Sequence, residues 1–384
     1  MQLAIITTHP IQYYAPVFKL LHSRRKINVK VFYTLGQANA DQYDPGFGKK
    51  IAWDIPLLEG YDFEWIDNTS AAPGSHHFKG IVNPQLINRI SAYKPDAVLI
   101  IGWAYNSHLK AMRFFKNKVP VFFRGDSTLL DQSNLLKSIL RTIVLKWVYR
   151  HVDHAFYNGV QNKAYFIKYG LKQNQLSFAP HAVDNDRFAI DRKEEAQQLK
   201  QSLGIVADDL LVLFAGKLED KKDPELLLDA VVQLNNSKVH LLFAGNGELE
   251  NQLKLKAQAY PNIHFIGFKN QSNMPVVYQA CDLFCLPSKG PGETWGLAVN
   301  EAMACSKAVL VSDKCGCAYD LVHDNQNGAI FKSANLNNLL AHLTWLTQNK
   351  PALNTYGRES AKIISDWNFL TIAKAIENQL IHEA

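Results

Sequence analysis

No apolar run in this chain approaches the ~18 residues that a membrane-spanning helix needs, which sets aside an integral membrane protein. The amino terminus, Met1-Gln-Leu-Ala-Ile-Ile-Thr-Thr-His9, has neither a basic n-region nor a cleavage site, and it reads as a first strand, not a signal peptide. Cysteine is scarce and odd in number. Cys281, Cys285, Cys305, Cys315 and Cys317 all fall in the second half, at spacings that match no zinc site. Neither a metal nor a disulfide framework is expected, and small buried apolar side chains in a reducing cytosol account for the five. Helix-turn-helix, zinc-finger and RNA-recognition patterns are missing, as are low-complexity segments and short repeats. Negative charge is the minority, with 35 Asp and Glu against 41 Lys and Arg, a net charge of +6. The sequence pI near 8.8 suits a polyanionic ligand or an acidic membrane surface, and no nucleic-acid partner is expected.

What is present fits an ordinary globular protein, with 47% hydrophobic and 20% charged residues in 384. That length predicts two domains of roughly 150–200 residues each. Short apolar runs alternate with amphipathic stretches, which signals α/β architecture and parallel sheets. In the first half strands are expected at Leu3–Thr7, Val29–Tyr33, Ala97–Ile101, Val119–Arg124 and His154–Asn158, with helices starting near Tyr14, Pro84, Asn106 and Asn134. In the second half they are expected at Leu210–Ala215, Val239–Ala244, Ile263–Ile266, Leu283–Leu286, Ala308–Val311 and Ala329–Phe331. Residues 36–60, rich in Gly, Asp and Pro, read as an irregular loop over the cleft. Periodicity breaks near residues 180–192. The halves repeat one architecture, giving two Rossmann-like domains, 1–185 and 186–367, that face each other across a central cleft. Residues 368–384 form a last helix.

The stretch from Ser288 to Ala304 reads Ser-Lys-Gly-Pro-Gly-Glu-Thr-Trp-Gly-Leu-Ala-Val-Asn-Glu-Ala-Met-Ala. Glu293 stands before a glycine turn, and Leu297 and Glu301, four apart, share a helix face. Gly296 stands at the helix entrance, where unpaired backbone N–H groups favour an anion. Two carboxylates around an anion cradle suit a ligand with both hydroxyls and phosphate, as in a sugar nucleotide.

Two glutamates separated by seven residues and followed by Ala-Met-Ala resemble the signature of the family 4 retaining glycosyltransferases, which have the GT-B fold. The flanking Cys281-Asp-Leu-Phe-Cys-Leu-Pro-Ser288, Ala308-Val-Leu-Val-Ser312 and Asn327-Gly-Ala-Ile-Phe331 resemble that family's strands on either side. The resemblance covers most of residues 175–365 and, more loosely, 1–174. It implies that Glu301 takes the nucleotide ribose, that Glu293 contacts the donor sugar, and that the last helix crosses back to the first domain. In Gly216-Lys-Leu-Glu-Asp-Lys-Lys222, Lys217 stands where the family has arginine and Lys222 matches its lysine, so both are expected on the donor diphosphate with Gly296 and Leu297. A lysine cannot make arginine's bidentate fork. The alternative for this segment is a solvated charged turn.

Gly245-Asn-Gly247 and Gly267-Phe268 are implied to border the nucleotide pocket, although a plain turn explains the glycines equally well. In Thr8-His-Pro-Ile-Gln-Tyr-Tyr14, the residues His9, Gln12 and Tyr13 are candidate acceptor-side contacts, with capping and packing as the alternative. Relatives often carry a histidine near the transferred sugar where this chain has Gly125 and Asp126. Asp126 is a candidate for binding a sugar hydroxyl or deprotonating the acceptor, or else caps a turn. Asp184-Asn-Asp186 has the Asp-x-Asp form of a metal site, but its setting resembles the family's interdomain seam, and no metal or cofactor is expected there. In the helix predicted from Leu135 to Arg150, Lys137, Arg141, Lys146 and Arg150 stand among apolar residues. A core helix with a charged outer edge is the simpler account, and contact with an anionic membrane is the alternative.

Together these imply a cytoplasmic, metal-independent hexosyltransferase that takes a UDP- or GDP-linked sugar and adds it, with retention, to a glycan or lipid-linked acceptor. A sugar-nucleotide 2-epimerase of the same fold and an inactive nucleotide-sugar-binding protein are the rivals.

Overall fold

The computed structural model describes residues 1–39, 43–44, 49–50, 53–131 and 135–383. In chain order its strands are β1 (Gln2–Thr7), β2 (Asn28–Tyr33), β3 (Tyr43–Asp44), β4 (Lys49–Lys50), β5 (Asp62–Trp65), β6 (Ala97–Ile101), β7 (Val121–Arg124), β8 (His154–Tyr157) and β9 (Leu176–Phe178). They continue with β10 (Leu210–Ala215), β11 (Val239–Ala244), β12 (Ile263–Ile266), β13 (Leu283–Leu286), β14 (Ala308–Ser312) and β15 (Gly328–Phe331). Strands of one sheet run in the order β5-β2-β1-β6-β7-β8-β9, those of a second in the order β12-β11-β10-β13-β14-β15, and β3 pairs only with β4. All pairings in the two large sheets are parallel.

Both orders are doubly wound. Each sheet starts at an inner strand, grows one way, then returns and grows the other, leaving a switch point between β1 and β6 and another between β10 and β13. Helices cover both faces, so the strands read as continuous apolar runs: β10, β11 and β13 are buried at every position. The short β3–β4 pair falls inside the expected irregular loop 36–60, and in the two large sheets the strands not anticipated, β5 and β9, lie at the edges. Asp-Phe-Glu-Trp and Leu-Ser-Phe are half-exposed there and carry no long apolar run. β7 begins at Val121 and not at Val119, because Pro120 has no N–H to donate and Val119 still bonds back to Phe115.

The chain divides into two compact units. The first comprises Met1–Gln42, Pro56–His181 and Phe369–Ala384, and the second comprises Tyr43–Ile55 and Ala182–Asn368. The boundary falls after His181, not at 185/186. The buried Arg124 guanidinium donates to Ala179 O and Pro180 O, at 2.7 and 2.8 Å, and ties that strand exit to the first unit. The last helix, Phe369–His382, belongs to the first unit, where Arg24 makes two bonds, 2.8 and 3.0 Å, to the fully buried Glu377. Of the expected loop 36–60, residues 40–42, 45–48 and 51–52 lie outside the described residues. Tyr43–Ile55 goes with the second unit, although its neighbours in sequence belong to the first.

One helix departs from the simpler sequence reading. Leu135–Tyr149 buries Leu145, Val148 and Tyr149, but its outward face is apolar as well as basic. Ile139, Leu140, Ile143 and Val144 are 52%, 64%, 63% and 42% exposed, between the exposed Lys137, Arg141, Lys146 and Arg150.

Candidate active site

In open parallel sheets ligands bind beyond the carboxyl ends of the strands, at the switch point. In the second unit that is where the chain leaves β10 and β13. The exit from β10 runs through Gly216 to a short turn at Asp220–Lys222, and the exit from β13 runs from Pro287 to Gly296. These two exits meet. Lys222 Nζ lies 2.5 Å from Glu293 Oε2, and Ser288 Oγ donates to the same oxygen at 3.0 Å. Lys289 N–H donates to Lys221 O at 2.9 Å, and Lys289 Nζ lies 2.8 Å from Asp220.

The Lys222 and Glu293 side chains are 16% and 9% exposed. Burial alone would pull the Lys222 pKa down. The charge and hydrogen bond of Glu293 outweigh it, so the net shift is upward and Lys222 is a cation at neutral pH. The neighbouring Cys315 thiol is pushed up to about 12, by burial first and then by Glu293, and stays a neutral packing group.

Glycines allow this convergence. Gly296, with φ of 95°, leads into the helix Leu297–Ala304. Gly316 N–H donates to Glu293 O at 3.2 Å, and a Cβ there would stand 1.7 Å from Thr294 O. The buried Cys317 closes the same turn with a bond from its N–H to Trp295 O. The Glu293 backbone is therefore gripped from behind while its carboxylate faces Lys222.

Other residues singled out from the sequence stand on the same unit. Leu297 is half-buried in the first turn of the helix that also carries Glu301. Glu301 is 5% exposed, and its carboxylate accepts a 2.8 Å bond from the buried Tyr278 hydroxyl. Lys217, half-buried, stands on the same exit loop as Lys222. Gly245 and Gly247 let backbones approach one another. A Cβ at Gly245 would meet Gly216 O at 2.0 Å and one at Gly247 would meet Leu218 O at 2.3 Å, so they fix the Lys217 loop. Phe268 N–H donates to Asn246 Oδ1 at 2.9 Å, which places its half-exposed ring beside those loops. The roles of Ser288 and Tyr278 were not legible, since a serine and a tyrosine carry no distinguishing pattern until the fold pairs them with the two glutamates.

In the first unit, His9, Gln12 and Tyr13 lie on the exit from β1, beside the switch point of the first sheet. Thr8 Oγ1 and His9 Nδ1 are 2.9 Å apart, and burial lowers the His9 pKa, so its ring is neutral. Gln12 is buried and Tyr13 half-buried. Asp126 is exposed just past β7. Its charge reaches the phenols of Tyr14 and Tyr105, whose pKa values rise through burial first and Asp126 second; at Tyr14 Arg124 opposes the rise. The Arg124 guanidinium sits 5.7 Å from the Tyr14 ring. Burial, and then Arg124, drives the His181 pKa far down and holds it neutral. His108 is fully buried between Gly102 O at 2.6 Å and Thr34 Oγ1 at 2.8 Å, which makes it a packing group. The Asp184 carboxylate accepts from Arg187 N–H at 3.1 Å and so caps the helix Asn185–Ala189.

Residues 195–363 match the family model described as glycosyl transferases group 1. Mannosylfructose-phosphate synthase of Agrobacterium fabrum is 28% identical over 179 residues, 43% of this chain and 38% of that protein. O-antigen chain mannosyltransferase C of Escherichia coli is 24% identical over 205 residues, 53% of this chain and 50% of that protein. The chain thus spans half or less of the length of these two curated relatives. The solved structure of Anabaena HepE in complex with UDP and glucose has a TM-score of 0.73 at 18% identity, covering 100% of both chains. The part of the second unit from residue 195 to 363 is thus similar to the glycosyl transferases group 1, and the chain has the GT-B fold.

Proposed function

We propose that this protein is a glycosyltransferase of family 4 that moves a hexose, with retention, from a UDP- or GDP-linked sugar to a hydroxyl of a glycan or lipid-linked acceptor. The observation that carries this reading is the buried Lys222–Glu293 pair at the switch point of the second sheet. A nucleoside diphosphate leaves with negative charge on its terminal phosphate. Lys222, a fixed cation at neutral pH, meets that charge as the glycosidic bond breaks, with Lys217 on the same loop and the N–H groups after Gly296 adding to it. Glu293 both holds Lys222 in place and presents its carboxylate to the donor sugar. Glu301 accepts from the ribose hydroxyls, and Phe268 and Gly245 border the base. Bond-breaking electrons go to the leaving phosphate oxygen, which takes the acceptor's proton on the same face of the sugar, so no metal and no cofactor enters.

The acceptor is read onto the first unit, with His9, Gln12, Tyr13 and Asp126 as its polar contacts. A cell-surface polysaccharide is the acceptor class favoured by the relative that acts on an O-antigen chain. The exposed Ile139, Leu140, Ile143 and Val144 among four cations suit the cytoplasmic leaflet of a membrane rich in anionic lipid, where a lipid-linked acceptor resides. A thermal-shift screen with UDP- and GDP-sugars tests the donor assignment, since a ligand of the folded state raises its apparent stability. One nucleotide series raising Tm is the expected result. No shift from either, at millimolar concentration, overturns the reading.

A further inference from the structure

Trp53, Asp54 and Ile55 precede β5 in sequence yet pack with the second unit. Two contacts hold them there. The Asp54 carboxylate accepts from Ser272 N–H, at 3.2 and 3.3 Å to its two oxygens, and also from the Ser272 hydroxyl. The Trp53 ring lies 6.3 Å from the Phe268 ring at 59°, within the range of attractive aromatic pairs.

The loop that carries Phe268 is fixed from the other side too. Arg187 donates to Gln271 O and Oε1 at 2.7 Å each, and Asn246, which accepts from Phe268 N–H, is itself held by Glu250 at 2.9 Å. Two large aromatic rings, both half-exposed, therefore meet where Trp53 packs against a braced loop that follows β12. The adjoining strand ends finish in Gly216 and Gly245, whose backbones pack against one another: a Cβ at Gly245 would meet Gly216 O at 2.0 Å. Trp53, recruited from a distant stretch of sequence, thus stays half-exposed beside these strand ends, with part of its ring surface open. Planar heteroaromatic rings stack on such a face with little demand on their hydrogen-bonding edge.

We propose that Trp53 is a wall of the nucleotide site: with Phe268 it seats the base of the donor, and the Asp54–Ser272 contact holds that wall in position. The inference rests on the donor-site reading above. It adds a base-binding residue that lies outside residues 195–363, the span matched by the family model.

The test is calorimetric titration of the full chain with UDP, GDP and inorganic pyrophosphate, using wild type, Trp53→Ala, Asp54→Ala and Lys222→Ala. Base stacking contributes ~1–3 kcal/mol, so Trp53→Ala is expected to raise the Kd of the nucleotide that binds wild type by roughly 5- to 150-fold. Asp54→Ala should raise it several-fold, and neither change should alter pyrophosphate binding. Should Trp53→Ala fail to fold, Trp53→Phe serves instead: the loss of tryptophan emission that nucleotide causes in wild type is then expected to shrink. A folded Trp53→Ala with unchanged nucleotide Kd, or a Trp53→Phe with undiminished quenching, overturns this inference alone, provided that Lys222→Ala still weakens binding. A wild type that binds neither nucleotide overturns both this inference and the donor-site reading.

Discussion

Lys222 and Glu293 come from loops that leave different strands, yet their side chains meet at 2.5 Å with 16% and 9% exposure. Leaving either charge there alone would cost several kcal/mol. The pair explains why the two strand exits are laced by further contacts, the Lys289 N–H to Lys221 O bond and the Lys289–Asp220 ion pair among them. It also makes the site testable from either partner.

Glu293→Gln keeps the shape of the side chain but removes its charge. Charge-assisted hydrogen bonds contribute ~1.5–3 kcal/mol, so kcat should fall about 10- to 100-fold while donor Kd changes less. Tm should drop as well, because Lys222 loses its counter-charge. Steady-state kinetics beside direct donor titration separates the two effects, and an unchanged kcat removes Glu293 from the chemistry.

The same pair predicts an alkaline limit. Lys222 has a folded-state pKa above its ordinary 10.5. A group raised in this way stabilises the fold fully below the unfolded value and loses that contribution as pH rises through the folded value. The Tm gap between wild type and Lys222→Met should therefore stay constant to about pH 10 and narrow above it. A gap that persists unchanged at pH 11.5 contradicts the shift.

How much of this was legible in the sequence differs by element. β10, β11 and β13 could be bounded from sequence because strands covered on both faces are buried along their whole length and read as apolar runs. Half-exposed edges such as Asp62–Trp65 offer no such run. The segment Ser288–Ala304 could be read by its resemblance to known donor loops, but spacing alone does not reveal that Glu293 answers Lys222, since the fold brings residues 71 apart into contact. Arg124 and Tyr278 were invisible for the same reason: the Arg124 partners Ala179 and Pro180 and the Tyr278 partner Glu301 are distant in sequence. At Gly245, for which the resemblance implies the border of the nucleotide pocket and a plain turn is the alternative, the close approach observed is to the Gly216 carbonyl.

Gly316→Ala probes the support of the site without touching its charges. Its Cβ would press on Thr294 O, which is backbone and cannot swing aside, so the Glu293 loop must shift. Overpacking of this kind costs ~1–3 kcal/mol. A Tm several degrees lower with at least a tenfold loss of kcat/KM is expected; wild-type values for both contradict the picture of a braced loop.

Replacing Ile139 and Ile143 together by Asp places two acids on the apolar face of the Leu135–Tyr149 helix. Co-sedimentation with phosphatidylglycerol vesicles should fall at least tenfold and show strong salt dependence in wild type, since each basic residue near an anionic surface contributes about 1 kcal/mol. Equal sedimentation of both proteins argues that this face does not meet lipid.

The central claim is that the donor's diphosphate rests against Lys222, and calorimetric titration of wild type and Lys222→Ala with the nucleoside diphosphate of the preferred donor tests it most directly. The account predicts saturable binding by wild type and a Kd raised at least tenfold by the substitution, with the secondary structure unchanged. Equal affinity of the two folded proteins for that nucleotide would contradict it.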